Sequence, residues 1–137
     1  MFAFRPEYCS GSQRNGVRLQ TGIAFAFARR PQILAFQSYV EAGESLARFL
    51  ADDMASAKAV LASLHMIFEE TDVAVVRLPH RPGELGRAAA RLGEKQINID
   101  YSYCGLEPGS TLGLMVFGVD KLTTAATLLD ELTAENT

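Results

Sequence analysis

Apolar and polar positions are most regularly ordered from residue 72 onwards. Residues 73–78 form a short, β-branched, mostly apolar run that stops at Pro79, the pattern of a buried strand. His80, Arg81, Pro82 and Gly83 supply a turn. Glu84 opens a stretch in which Leu85, Ala88, Ala89 and Leu92 recur at helical spacing, with Gly93 as its end signal. Ile97, Ile99, Tyr101 and Tyr103 then alternate with Asn98, Asp100, Ser102 and Cys104, which predicts a half-buried strand. After a turn at residues 107–110, the nearly continuous apolar run 112–119 predicts a strand in the middle of a sheet. Asp120 is placed to cap a last helix, whose Leu122, Ala125, Ala126, Leu129 and Leu132 make one apolar stripe. The predicted order is β-α-β-β-α.

The first half echoes this pattern. Ile33-Leu-Ala-Phe-Gln-Ser-Tyr39 aligns with Ile97-Asn-Ile-Asp-Tyr-Ser-Tyr103, and residues 45–51 stand where residues 111–117 stand. Ala57, Leu61 and Leu64 correspond to Ala125, Leu129 and Leu132. Strand, strand and helix in the same order predict an internal repeat of roughly 65 residues, each copy a unit that needs a partner to complete its core. Residues 65–70 read as one more strand leading into Asp72. Residues 1–32 fit the repeat badly: 10–16 is polar and turn-like, 17–28 reads as a strand, and the opening strand–turn–helix of the first copy is expected to be missing or replaced. The division is therefore 1–32, an atypical segment; 33–71, a partial copy; and 72–137, a full one.

Composition supports a packed fold, since 48% of the residues are hydrophobic and 21% charged. A net charge of −3 argues against a nucleic-acid partner, which needs a dense surplus of Lys and Arg. A ferredoxin-like RNA-binding domain would show basic and aromatic residues on its third strand, where 112–119 offers only Phe117. Arg5, Arg14, Arg18, Arg29 and Arg30 stand against Glu7 alone within residues 1–32 and read first as a solvated tail, with contacts to the acidic remainder or a weak polyanion patch as alternatives. No secretion signal is expected, because the apolar run at 22–28 lies too far in and is followed by two arginines. No run approaches the ~18 residues of a membrane span. Cys9 and Cys104 have neither disulfide nor metal spacing and read as reduced thiols of a cytoplasmic protein. His65 and His80 have no catalytic or metal-ligating partner at recognisable spacing, so neither a catalytic residue nor a metal or other cofactor is expected.

The most informative segment is Arg81-Pro-Gly-Glu-Leu85 between a strand and a helix. Proline suits a first helical turn, glycine lets another group approach the backbone, and the unpaired N–H groups of that turn can donate to a bound carboxylate. Together with Val73-Ala-Val-Val-Arg-Leu-Pro-His-Arg-Pro-Gly-Glu-Leu85, Leu92, Ile97-Asn-Ile99, the apolar strand 112–119 and the closing helix, this resembles the ACT domain family, small βαββαβ modules that sense amino acids beside metabolic enzymes. The resemblance implies an α+β, ferredoxin-like sheet with helices on one face, in two copies, the first degenerate. It implies ligand contacts from Arg81, Pro82, Gly83, Glu84 and Leu85, with Asn98, Ile99 and Asp100 on the facing strand. Backbone amides would take a ligand carboxylate, and Asn98 or Asp100 its ammonium. Two departures stand out: His80 occupies a position that is acidic in many relatives, and the first copy lacks a Pro-Gly loop.

The expected function is thus a non-catalytic regulatory module binding an amino acid or similar ligand at a domain or subunit interface, most simply in a homodimer. The alternative is an ACT-like dimerisation protein that binds no ligand.

Overall fold

A strand that is apolar at almost every position is satisfied only between two neighbours, and the run Leu112–Val119 takes that place. In the computed structural model it is strand β6, paired antiparallel with β4 (Phe68–Pro79) on one side and β5 (Ile99–Leu106) on the other. The structure describes residues 3–12, 32–106 and 109–135, the first of these stretches by its backbone alone. The remaining elements are β1 (Ala3–Ser12), β2 (Ile33–Glu41), β3 (Glu44–Ala51), α1 (Met54–Ser63), α2 (Glu84–Glu94) and α3 (Leu122–Glu135). The class is α+β with antiparallel sheet, as the sequence predicts. Two compact units divide the chain, Pro6–Thr71 and Asp72–Thr137, the latter together with Met1–Arg5.

In the unit from Asp72 the strand order is β4-β6-β5. Register puts Ala74 opposite Phe117, Val76 opposite Met115 and Leu78 opposite Gly113, so these residues share one face. That face carries both helices: Ala74, Val76, Leu78 and Phe117 form one core with Ala88 and Leu92 of α2 and Ala125, Leu129 and Leu132 of α3. On β5, Ser102 and Cys104 are in register with Phe117 and Met115, whereas Tyr101 and Tyr103 lie on the other face, their rings stacked with centroids 6.4 Å apart. Gly118 stands opposite Tyr101, and a Cβ there would come within 2.3 Å of the tyrosine ring, so the glycine is the ring's seat.

The buried stripe of α2 departs from the expected one. It is Glu84, Ala88 and Leu92, four residues apart, which leaves Leu85 about one hundred degrees round the helix and 45% exposed. The helix also runs through Gly93 and stops one turn-residue later. Gln96 takes the left-handed conformation (φ 53°), its N–H bonds Gly93 O at 2.9 Å, and the N–H of Ile97 bonds Leu92 O at 3.1 Å. This is a Schellman ending, closed by the buried Ile97. Because a left-handed residue with a side chain is strained, Gln96→Gly is expected to stabilise the chain by about 0.5–1 kcal/mol. A chemical-denaturation midpoint no higher than the parent's would refute this. α3 begins at Leu122, with Ala125 N bonding Lys121 O, and Asp120 does not cap it as predicted: its Oδ1 accepts from the backbone N–H of Asn98 at 2.9 Å.

In the unit Pro6–Thr71 the order is β1-β3-β2, all antiparallel. Ala42 and Gly43, both at positive φ (51° and 81°), make the two-residue turn of the β2–β3 hairpin. Asp53 caps α1, accepting from Ser56 N at 3.1 Å and Ser56 Oγ at 2.7 Å. The core gathers Ala47, Phe49 and Ala51 of β3 with Ala57 and Leu61 of α1. Leu64, expected on that stripe, is the C-cap and is exposed, and α1 ends in the same Schellman geometry as α2, with His65 left-handed. An opening strand is present after all: β1 pairs with β3 and runs through Ser12, inside the stretch read as a turn. The strands read separately at 65–70 and 73–78 are one strand, β4. The strand read at 17–28 lies outside the described residues, as does most of the 10–16 turn.

Candidate functional site

β4 ends at Pro79, and the chain turns through His80, Arg81 and Pro82 before α2. Arg81 N bonds Pro79 O at 3.0 Å, which tightens the turn. Gly83 is the N-cap in the left-handed region (φ 91°), and no side chain caps the helix. The first intrahelical bond is Arg87 N to Gly83 O, at 2.9 Å, so the N–H groups of residues 83–86 have no partner within the helix. The helix dipole adds positive potential there. Glycine is required at position 83 by its φ and not by crowding, since a Cβ would have nothing within 4 Å.

Glu84 is built into the loop's support. It is only 5% exposed, and its Oε1 accepts from Arg81 Nε at 2.6 Å while Oε2 lies 3.8 Å from Arg87 Nη1. A buried carboxylate is tolerable only with such cations beside it. The charges continue along α2: Arg87 and Arg91 both bond Glu135 of α3. Those hydrogen bonds, Arg91's first, hold the Glu135 carboxyl below its ordinary pKa. Arg81 is therefore held in place while remaining 58% exposed along its side chain.

Beside this loop opens a cavity of about 580 Å³. Pro79, His80, Arg81, Gly83 and Leu85 line one side of it, Cys104, Gly105 and Leu106 at the end of β5 the other, with Gly113 and Met115 of β6 as the floor. The wall is mainly apolar. Cavities of ~300–1,000 Å³ with few polar groups are the usual form of small-molecule sites. Leu85, Leu106 and Leu112, exposed at 45%, 65% and 37%, show apolar surface at this end of the sheet.

Of the predicted site residues, Arg81, Gly83 and Leu85 line the cavity; Pro82 sits in the turn, and Glu84 lies behind it. Asn98, Ile99 and Asp100 are elsewhere. Register pairs Leu106 with Gly113 and Ile99 with Val119, so the start of β5 lies at the far end of the sheet from the loop, ~20 Å of strand away. Asn98 Nδ2 there donates to Asp100 Oδ1 at 2.6 Å. Within this unit the loop and the Asn98–Asp100 edge do not share a cleft. Pro79, His80, Gly105, Leu106, Gly113 and Met115 also line the cavity and are not among the residues that sequence reasoning assigns to the site; the nearness of the β5 and β6 residues to the loop follows only from strand pairing.

No protein-family model matches the chain, and neither does any curated protein. Solved structures do match it in fold. A protein of Bacteroides thetaiotaomicron superimposes with a TM-score of 0.80 at 19% identity, over 96% of this chain and 90% of that one. The regulatory subunit of aspartate kinase from Thermus thermophilus, in its ligand-free form, matches with a TM-score of 0.59 at 13% identity over 95% of both chains. The corresponding subunit from Thermus flavus gives 0.50 at 14% identity, over 94% of this chain and 90% of the other. The chain has an ACT-type fold. Its similarity to these regulatory subunits extends over nearly their whole length, and at these identities the shared property is the fold. In the unit from Asp72, the cavity falls where β4 hands over to α2. Among the described residues no helix is long and apolar enough to cross a membrane, and no three His, Cys, Asp or Glu side chains cluster as metal ligands.

Proposed function

We propose that this chain is a non-catalytic regulatory module, made of two ACT-type copies, that binds a small ligand of the amino-acid class beside the Pro-Gly loop. One observation carries the reading: a cavity of about 580 Å³ opens against the uncapped N-terminus of α2, where Arg81 is already positioned. Arg81, Gly83 and Leu85 contact the ligand, Pro82 sets the turn, and Glu84 holds Arg81. Two copies are supported by the matching strand orders, β1-β3-β2 and β4-β6-β5, and by the identical endings of α1 and α2. The first copy is the degenerate one, since no Pro-Gly pair occurs in residues 33–71.

Regulation requires that the ligand favour one assembly over another, and a homodimer is the simplest assembly whose seam a ligand can tighten. In this reading Asn98, Ile99 and Asp100 take part only when a second copy of the chain presents them. The module is cytoplasmic and acts without a cofactor. A regulatory role is in keeping with the similarity to chains described as regulatory subunits.

A thermal-shift screen against the twenty amino acids and related carboxylic acids tests the proposal. A ligand present at about 100 times its dissociation constant adds ~2.7 kcal/mol of stability. Absence of any shift across the panel would reject ligand binding and leave the dimerisation protein as the better reading.

A further inference from the structure

We propose that Cys104 and Met115 form a binding site for a soft monovalent metal ion, Cu(I), on the sheet side of the cavity. The site stands apart from the amino-acid reading, because it uses two sulfur atoms of β5 and β6 and none of the loop's amides.

Register makes Cys104 of β5 and Met115 of β6 direct partners across the sheet, and both line the same cavity. Cross-strand partners on one face have Cβ atoms ~4.5–5.5 Å apart. The cysteine sulfur stands one bond beyond its Cβ and the methionine sulfur two. An ion bridging them with bonds of ~2.3 Å needs the sulfurs about 4.6 Å apart, a span the pair reaches without moving either strand. The two donors divide the work. Met115 packs against the core shared by the sheet and both helices, which anchors its thioether, whereas Cys104 is exposed and open to an arriving ion. Donor chemistry then selects the ion, since thiolate and thioether are both soft ligands and suit Cu(I), while Mg(II) and Ca(II) seek oxygen. Charge selects in the same direction. Arg81 lies in the cavity wall, and the N-terminus of α2 adds positive potential. Cu(I) on one thiolate carries no net charge and is unopposed there, whereas Zn(II) on the same pair keeps a positive charge. Binding forms one bond to each sulfur and releases the Cys104 thiol proton to solvent, with no electron transferred.

Anaerobic titration of the full chain with Cu(I), in competition with a coloured Cu(I) chelator and with no amino acid present, tests the assignment. One ion per chain is expected, held tenfold or more tightly than by Met115→Leu or Cys104→Ser, and copper K-edge absorption should show two sulfur neighbours. Met115→Leu is the sharper variant. It conserves core volume, so folding is retained, and it keeps both Cys9 and Cys104, so a loss of affinity there cannot come from an isolated thiol. Undiminished Cu(I) affinity in Met115→Leu overturns the proposal, as does a parent chain that holds Zn(II) more tightly than Cu(I). Because no amino acid takes part, either result leaves the reading of the Pro-Gly loop where it stood.

Discussion

Replacing Phe117 by alanine is expected to remove about 3–5 kcal/mol of stability, the range found for truncating a fully enclosed phenylalanine. Phe117 is 1% exposed and stands at the centre of β6, opposite Ala74 on one neighbour and Ser102 on the other. Both partners are small, so the ring's volume is met mainly from above, by Ala88, Leu92, Ala125, Leu129 and Leu132 of the two helices. Alanines at 74, 88 and 125 cannot reach into the void that truncation leaves, and the helices cannot sink without breaking their own packing. Domains of this kind have ~5–15 kcal/mol in total, so the variant should lose a large share of its margin. Phe117→Leu should cost well under half as much, because most of the volume is retained. Chemical denaturation of the full chain measures both. A Phe117→Ala variant within about 1 kcal/mol of the parent would mean that this core is not packed as described.

The core was legible because its information is local. The unbroken apolar run of β6, the alternation along β5 and the Ala125, Ala126, Leu129, Leu132 stripe of α3 each state their burial within a few residues, and each is found as read. Misreadings fall where a residue's chemistry and its position disagree. Apolarity alone predicts Leu85 on the buried stripe of α2, yet that stripe is opened by Glu84, a carboxylate that burial accepts only because Arg81 and Arg87 stand beside it. Gly93 looked like a helix end, but Gln96 takes the left-handed position instead. β1 is hidden in the sequence because Pro6 and the run Ser10-Gly11-Ser12 are ordinary breakers of strands, yet residues 8–12 pair in register with β3.

The site was legible only in part, for a different reason. Arg81, Gly83 and Leu85 announce themselves through the Pro-Gly loop, but the opposite wall depends on which end of β5 meets that loop. Alternation fixes which residues of a strand share a face and is silent on register along the sheet. Cys104 and Leu106 line the cavity beside the loop, while Asn98 and Asp100 lie at the start of β5.

Gly83→Val is expected to weaken binding of whichever carboxylate the cavity accepts by about a hundredfold or more, the equivalent of ~2.8 kcal/mol. The substitution acts twice. At φ 91° and ψ −15° a β-branched residue is strained, which should cost about 1–3 kcal/mol of stability. The new side chain otherwise meets open space, since beyond the adjoining residues no protein atom lies within 4 Å of where its Cβ would stand, so packing has no clash to relieve. That open space is the cavity's edge at the first turn of α2, and the methyl groups would stand between a carboxylate and the amides of residues 83–85. Gly83→Ala separates the two effects, because it carries most of the backbone strain with little of the bulk. Stability should fall in both variants, and affinity should fall steeply only in the valine one. Calorimetry and denaturation on the same preparations distinguish these quantities. Undiminished affinity in Gly83→Val would place the ligand away from the N-terminus of α2, however tightly it bound.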